Sequence, residues 1–139
     1  ILFMTSPTIE CNRMSKIQYS ELIKLVYKRL RSICDGKIYL SKHPSEKNFT
    51  DKLYHKLGFD FKYCNYPSEL IMSNKNISVI VNPINSTLMM AEEFNLLKNV
   101  TNVISYAPKK SPFKKERIDK ISKLLRKKNI SHLLIDDYE

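Results

Sequence analysis

Residues 38–44, Ile-Tyr-Leu-Ser-Lys-His-Pro, decide how this chain folds. The apolar run at 38–40 is typical of a buried strand. Pro44 cannot donate a ladder hydrogen bond, and it disfavours helical geometry at the residue before it. The strand is therefore expected to stop here, with the imidazole of His43 at its C-terminal tip. In open α/β sheets this edge is where ligands bind.

Apolar runs and amphipathic stretches alternate along the rest of the chain. Ser15-x-x-Gln18 fits a capping box ahead of the first helix. Ser45 is expected to cap the second helix, and Gly58 to end it. This alternation predicts an α/β fold with a doubly wound, mostly parallel, Rossmann-like sheet, built as one domain over residues 1–139. The expected strands are 1–7, 38–42, 59–63, 77–81, 102–106 and 132–136, and the expected helices are 15–34, 46–57, 67–75, 88–97 and 112–128.

The formal net charge is +10, and most of it lies in one segment. Residues 109–128 hold ten lysines and arginines against two acidic residues. Such a run is typical of a solvated helix face, and an anionic membrane surface or an acidic partner is the alternative. The run does not interleave aromatic side chains with its basic residues, so a nucleic-acid partner is not expected.

Glycine and cysteine usage excludes several classes of site. Only Gly36 and Gly58 occur, which rules out glycine-rich nucleotide loops, so a bound phosphate would need a helix N-terminus with hydroxyl side chains. The three cysteines form no CxxC or Cys/His cluster, so we expect neither a zinc site nor a disulfide framework, and a reducing cytoplasmic setting. No cofactor and no metal are expected. Ile1 already begins a strand without a leader, and we therefore expect the chain to derive from a longer protein.

Three strand-to-helix edges carry polar groups: 42–45 (Lys-His-Pro-Ser), 67–69 (Pro-Ser-Glu) and 85–87 (Asn-Ser-Thr). In a parallel sheet these edges lie on one side and can converge. The hydroxyls and free N–H groups at 85–87 suit a phosphate, and Glu69 can accept two hydrogen bonds from a ribose diol. The alternatives are a simple helix cap at 85–87, a plain turn at His43 and a first-turn acid at Glu69. His55 and His132 are expected to be structural.

The sequence resembles the bacterial sialyltransferases of the two-domain GT-B type, in particular those that modify lipooligosaccharide and capsule. The matching text is IYLSKHPSE at 38–46, YPSELIM at 66–72 and SVIVNPINSTLMMAE at 78–92. The opening ILFMTSP also resembles the first strand of that family's nucleotide-binding domain. By this resemblance the chain is the C-terminal half of a GT-B enzyme, and it binds a CMP-sugar.

The resemblance also implies a role for individual residues. His43 would be the catalytic residue that protonates or hydrogen-bonds the departing CMP phosphate. The family inverts configuration with a carboxylate base from its N-terminal domain, and needs no metal. The chain alone is therefore expected to be inactive, and the glycan acceptor to bind through a missing N-terminal domain. The residues expected to bind CMP are Pro44, Pro67, Glu69, Leu70, Ser86 and Thr87.

Two further readings stay open. One is another GT-B-like transferase with a different nucleotide-linked donor. The other is a non-catalytic α/β module whose basic helix at 113–128 binds an acidic partner or a membrane. For the sialyltransferase we expect a cytoplasmic location, with peripheral contact between that helix and the inner face of the bacterial membrane.

Overall fold

A computed structural model describes residues 1–5, 14–72, 74, 76–83, 97, 99–107 and 114–136. Its strands all run parallel, in the order β2-β1-β3-β4-β5, and helices cover the sheet. The predicted α/β, Rossmann-like fold is confirmed. The elements are β1 (Leu2–Met4), α1 (Lys16–Ile33), β2 (Tyr39–Ser41), α2 (Asn48–Leu57), α3 (Ser68–Met72), β3 (Val79–Pro83), β4 (Asn102–Ala107), α4 (Lys114–Lys127) and β5 (Ser131–Asp136).

The sheet buries apolar side chains on both faces. Successive strand residues point to opposite sides, so Phe3 packs with α1 and α2, whereas Leu2 and Met4 pack on the other face. That other face is covered by α3 and α4, which contribute Met72 and Leu125. A sheet covered on both sides explains why its strands are nearly continuous apolar runs.

Local signals in the sequence fix the ends of two helices. Ser15 caps α1 as predicted: its Oγ accepts from the N–H of Gln18 at 3.2 Å, and Gln18 Oε1 accepts from the N–H of Ser15 at 3.0 Å. Gly58 ends α2 in the left-handed conformation, with a φ of 100°. Both predictions from short motifs are confirmed.

Three predictions about local structure are wrong. Residues 59–63 do not form a strand, because only Asp60 bridges to Tyr39 before the chain turns. The strand predicted to end at Val81 continues to Pro83. β1 pairs with β3 only as far as Val81, so Pro83 lies beyond the part of β3 that has a paired strand on both sides. The N-cap of α2 is Lys47, not Ser45.

Candidate functional site

A cavity of about 500 Å³ opens at the C-terminal edge of β1 and β2. In the strand order seen here, β1 borders the point where the sheet winding reverses, which is the usual ligand position in doubly wound folds. The cavity is lined by Met4, Thr5, Ser41, Lys42, His43, Pro44, Glu46, Cys64, Asn65, Tyr66, Pro67 and Ser68. The structure thus joins the end of two strands to the segment that leads into α3.

His43 lies at the tip of β2, in a tight turn. The N–H of Glu46 donates to the carbonyl of His43 at 3.1 Å, which closes a β-turn with Pro44 at the position that proline favours. The N–H of Ser45 donates to His43 Nδ1 at 3.1 Å. Because Nδ1 accepts, the neutral imidazole carries its proton on Nε2. The exposed ring therefore offers an N–H donor that an anionic oxygen can accept.

Lys42 brings a positive charge to the same cavity. Its Nζ lies 2.6 Å from Asp51 Oδ1, in the first turn of α2, and its side chain is only 17% exposed. Salt bridges of this partly buried kind hold the ammonium in place better than exposed pairs do. Lys42 thus adds a tethered cation to the residues that line the cavity.

The floor of the cavity contains a buried carboxyl group. Glu46 is 8% exposed, and its side chain accepts from Thr5 Oγ1 and, at 2.8 Å, from the Tyr54 hydroxyl. Burial raises the pKa of Glu46, while the hydrogen bonds from Thr5 and Tyr54 act in the opposite direction. The backbone N–H of His43 donates to Thr5 Oγ1 at 3.0 Å, which ties this group to the turn above.

One wall of the cavity is aromatic. Tyr66 is 56% exposed, and its ring centroid lies 6.4 Å from that of Tyr63, which in turn packs 4.9 Å from Tyr39. Pro67 follows Tyr66 and lines the same wall. A flat, exposed ring backed by two further rings is a suitable surface for stacking a planar ligand.

The structure brings together some of the predicted site residues. His43, Pro44 and Pro67 line the cavity, and Leu70 lies in α3 just beyond it, with its side chain 65% exposed. Glu69 lies in α3 as well, but its side chain falls outside the described residues. Ser86 and Thr87 also lie outside them, so their predicted phosphate contact stays a prediction.

Several lining residues were not predicted from the sequence. Thr5 follows a buried strand and precedes Pro7, and this position at a strand end is a usable signal. Glu46 ends the turn that begins at His43, but nothing local shows that its side chain turns inward. Tyr66 could have been found only as an exposed aromatic next to Pro67.

Among the residues that the structure describes, no group of three or more His, Cys, Asp or Glu side chains is placed to hold a metal ion. Within the same ranges, no helix combines the length and the apolar character needed to cross a membrane. Cys34 and Cys64 are free thiols.

Comparisons of the chain with protein-family models, with curated proteins and with solved structures find no match to it.

Proposed function

We propose that this chain is the donor-binding domain of a sialyltransferase, and that it binds CMP-sialic acid for inverting transfer to a surface glycan. The observation that carries the proposal is the cavity in which the His43 turn faces the segment 64–68 at the C-terminal edge of the sheet. These are two of the stretches on which the resemblance to bacterial sialyltransferases rests. A nucleotide-binding role is what the position at this edge favours.

The two sides of the cavity suit the two parts of a nucleotide. Lys42 and the Nε2–H of His43 provide positive charge and a donor for a phosphate oxygen. Tyr66 and Pro67 provide a flat apolar wall for a pyrimidine base. A ligand with an anionic end and an aromatic end would use both sides at once.

The chemistry expected at this site is stabilisation of a leaving group. As the bond between the sialic acid and the CMP phosphate breaks, negative charge grows on the phosphate oxygens. A fixed N–H donor and an ammonium beside those oxygens lower the energy of that state more than they lower the energy of the bound donor. His43 can then hydrogen-bond or protonate the departing phosphate. The carboxylate base would come from another domain of the enzyme.

Isothermal calorimetry with CMP, CDP and UMP tests this proposal. We expect CMP to bind, UMP to bind at least about tenfold more weakly because its ring edge presents different hydrogen-bonding groups, and His43→Ala to abolish binding. Ser86→Ala should weaken CMP binding if the predicted phosphate contact exists. His55→Ala is the matched control, since His55 is an exposed helical histidine that stacks on Phe61 outside the cavity lining.

Other outcomes point to the alternatives. Selective binding of CDP or UMP would favour another GT-B-like transferase with a different donor. Absence of binding by any of the three nucleotides would contradict the transferase proposal and leave the basic α/β module.

We also propose that α4 makes peripheral contact with an anionic membrane, which would place the protein at the cytoplasmic face. Ile121 and Leu125 of this helix are buried against the sheet, so its cationic side chains face outward. Lys120 is partly offset by Glu116, at 3.7 Å. Among the side chains of this helix that the structure describes, the exposed basic ones are Lys115, Lys120, Lys123, Arg126 and Lys127.

Vesicle sedimentation checks this contact. Binding to vesicles with anionic lipid should exceed binding to zwitterionic vesicles and should fall as salt is raised. Replacing Lys123, Arg126 and Lys127 with glutamine should abolish it. Replacing Lys24, Lys28 and Lys52, which are exposed on α1 and α2, should leave it unchanged. Equal binding to both vesicle types would overturn this part of the proposal.

A further inference from the structure

The carboxyl group of Glu46 lies in an unusual position for an ionisable side chain. It is 8% exposed, and it faces the interior between the sheet and α2 rather than solvent. Burying such a group is costly unless hydrogen bonds satisfy it. Its donors include the Thr5 hydroxyl, the Tyr54 hydroxyl, and the backbone N–H of His43 at 3.4 Å.

Two of those donors connect the carboxyl group to the His43 turn. Glu46 Oε1 accepts from Thr5 Oγ1, and Thr5 Oγ1 accepts from the N–H of His43 at 3.0 Å. The N–H of Glu46 donates back to the carbonyl of His43 at 3.1 Å. The turn is thus closed by its own backbone and pinned to the end of β1 by the side chain of its last residue.

The other carboxyl oxygen connects the turn to the body of the domain. Oε2 accepts from the Tyr54 hydroxyl at 2.8 Å, and the hydroxyls of Tyr54 and Tyr19 lie 2.6 Å apart. Tyr19 is 1% exposed in α1 and Tyr54 is fully buried in α2. These rigid rings fix the carboxyl group in space, because neither can move without repacking the core.

We infer that Thr5 and Glu46 are positioning residues, which hold the His43 turn in the geometry that binds the nucleotide phosphate. The imidazole is exposed and its turn would otherwise be mobile, so fixing the turn in advance removes an ordering cost from binding. This inference rests on the proposed nucleotide-binding function of the same cavity. It adds a buried relay, from Tyr19 through Tyr54, Glu46 and Thr5, to the backbone of His43.

Matched pairs of variants test the relay. Thr5→Val keeps the shape of the side chain but removes the hydroxyl, and Thr5→Ser keeps the hydroxyl. Glu46→Met removes both acceptor oxygens, and Glu46→Gln keeps one of them. Calorimetry with CMP should show about five- to tenfold weaker binding for Thr5→Val and Glu46→Met, and less than about threefold change for Thr5→Ser and Glu46→Gln. Tyr27→Phe is the control, because the Tyr27 hydroxyl accepts from Arg31 outside the relay, and it should leave CMP affinity unchanged.

A spectroscopic readout separates this inference from the proposed function. In ligand-free protein, the amide resonance of His43 should shift and its hydrogen exchange should accelerate in Thr5→Val, but not in Thr5→Ser. If the wild-type chain does not bind CMP, the proposed function fails, and the amide of His43 still decides whether the turn is held in this way. An unchanged His43 amide in Thr5→Val, or equal loss of CMP affinity in Thr5→Val and Thr5→Ser, would overturn the inference.

Discussion

Ser105 Oγ lies 2.8 Å from Nε2 of His132, and this contact joins β4 to β5 beneath α4. The Ser105 hydroxyl donates to Asn82 Oδ1 at 3.0 Å, so it must accept from His132. Ser122 Oγ of α4 lies 2.7 Å from His132 Nδ1, and donates to it when the ring is neutral. The neutral imidazole therefore completes a polar chain that links three strands to a helix.

Folding stability should depend on the protonation of His132. Burial lowers the pKa of its imidazole, so between that pKa and about 6.5 the unfolded chain binds a proton that the folded protein does not. Stability should therefore decline as the pH falls below about 6.5, and this contribution should level off below the folded pKa. The free energy of unfolding, measured with urea at pH values from 5 to 8, should depend less on pH over that window in His132→Gln than in the wild type. A slope reduced equally by His55→Gln, at an exposed histidine, would contradict this role.

The two glycines should respond differently to substitution. Gly58 has a φ of 100°, and an added Cβ would lie 3.0 Å from the Tyr27 hydroxyl, which Arg31 holds in place. Gly58→Ala should therefore lower the free energy of unfolding by about 1–2 kcal/mol. At Gly36 the nearest atom, Cys34 Sγ, is 3.5 Å away, so Gly36→Ala should change stability by less than about 0.5 kcal/mol. Denaturant midpoints measure both, and equal losses would contradict the argument.

The fold could be predicted because its determinants are local. A buried parallel strand needs an unbroken apolar run, and the runs at 38–40 and 77–81 show it directly. The capping box at Ser15 likewise depends only on residues three apart. The prediction of a strand at 59–63 was wrong because Phe59 is buried like a strand residue, while the chain turns at once after Asp60.

The candidate site could be predicted only in part. β2 ends at Ser41, shortly before Pro44, and His43 therefore lies at the edge of the sheet, as the proline predicts. The contact between Thr5 and Glu46 joins residues 41 positions apart and depends on how β1, β2 and α2 pack. No spacing rule encodes such a contact, since the relevant neighbour is set by tertiary packing. The same holds for the Tyr39–Tyr63–Tyr66 wall.

An aromatic reporter can test whether the wall binds a base. The chain has no tryptophan, so Tyr66→Trp introduces a single indole at the rim of the cavity. If the proposed function is right, CMP should stack on this ring and quench its fluorescence with the affinity that calorimetry gives. Tyr66→Ala should weaken CMP binding about five- to tenfold, on the scale of one lost stacking contact.

A second tryptophan gives the control for this experiment. Ile33 is 62% exposed at the end of α1, on the side of the sheet where β2 begins rather than where it ends. Ile33→Trp should therefore keep its fluorescence when CMP is added. Quenching of both variants would indicate nonspecific association, and quenching of neither would exclude stacking at the wall.

Removing the positive charge of Lys42 and removing the negative charge of Asp51 should have opposite effects on anion binding. Asp51 Oδ1 lies 2.6 Å from the Lys42 ammonium and competes with a phosphate for its charge. Lys42→Met should weaken CMP binding about tenfold and reduce its salt dependence, whereas Asp51→Asn should strengthen binding about two- to threefold. Asp51→Asn should also cost about 0.5 kcal/mol of stability, because an acidic residue is lost from the first turn of α2.

Calorimetry at two salt concentrations, with Lys52→Met on the exposed face of α2 as the control, measures these effects. If both substitutions weaken binding equally, the pair acts by holding β2 to α2, and Lys42 is not the cation that meets the phosphate.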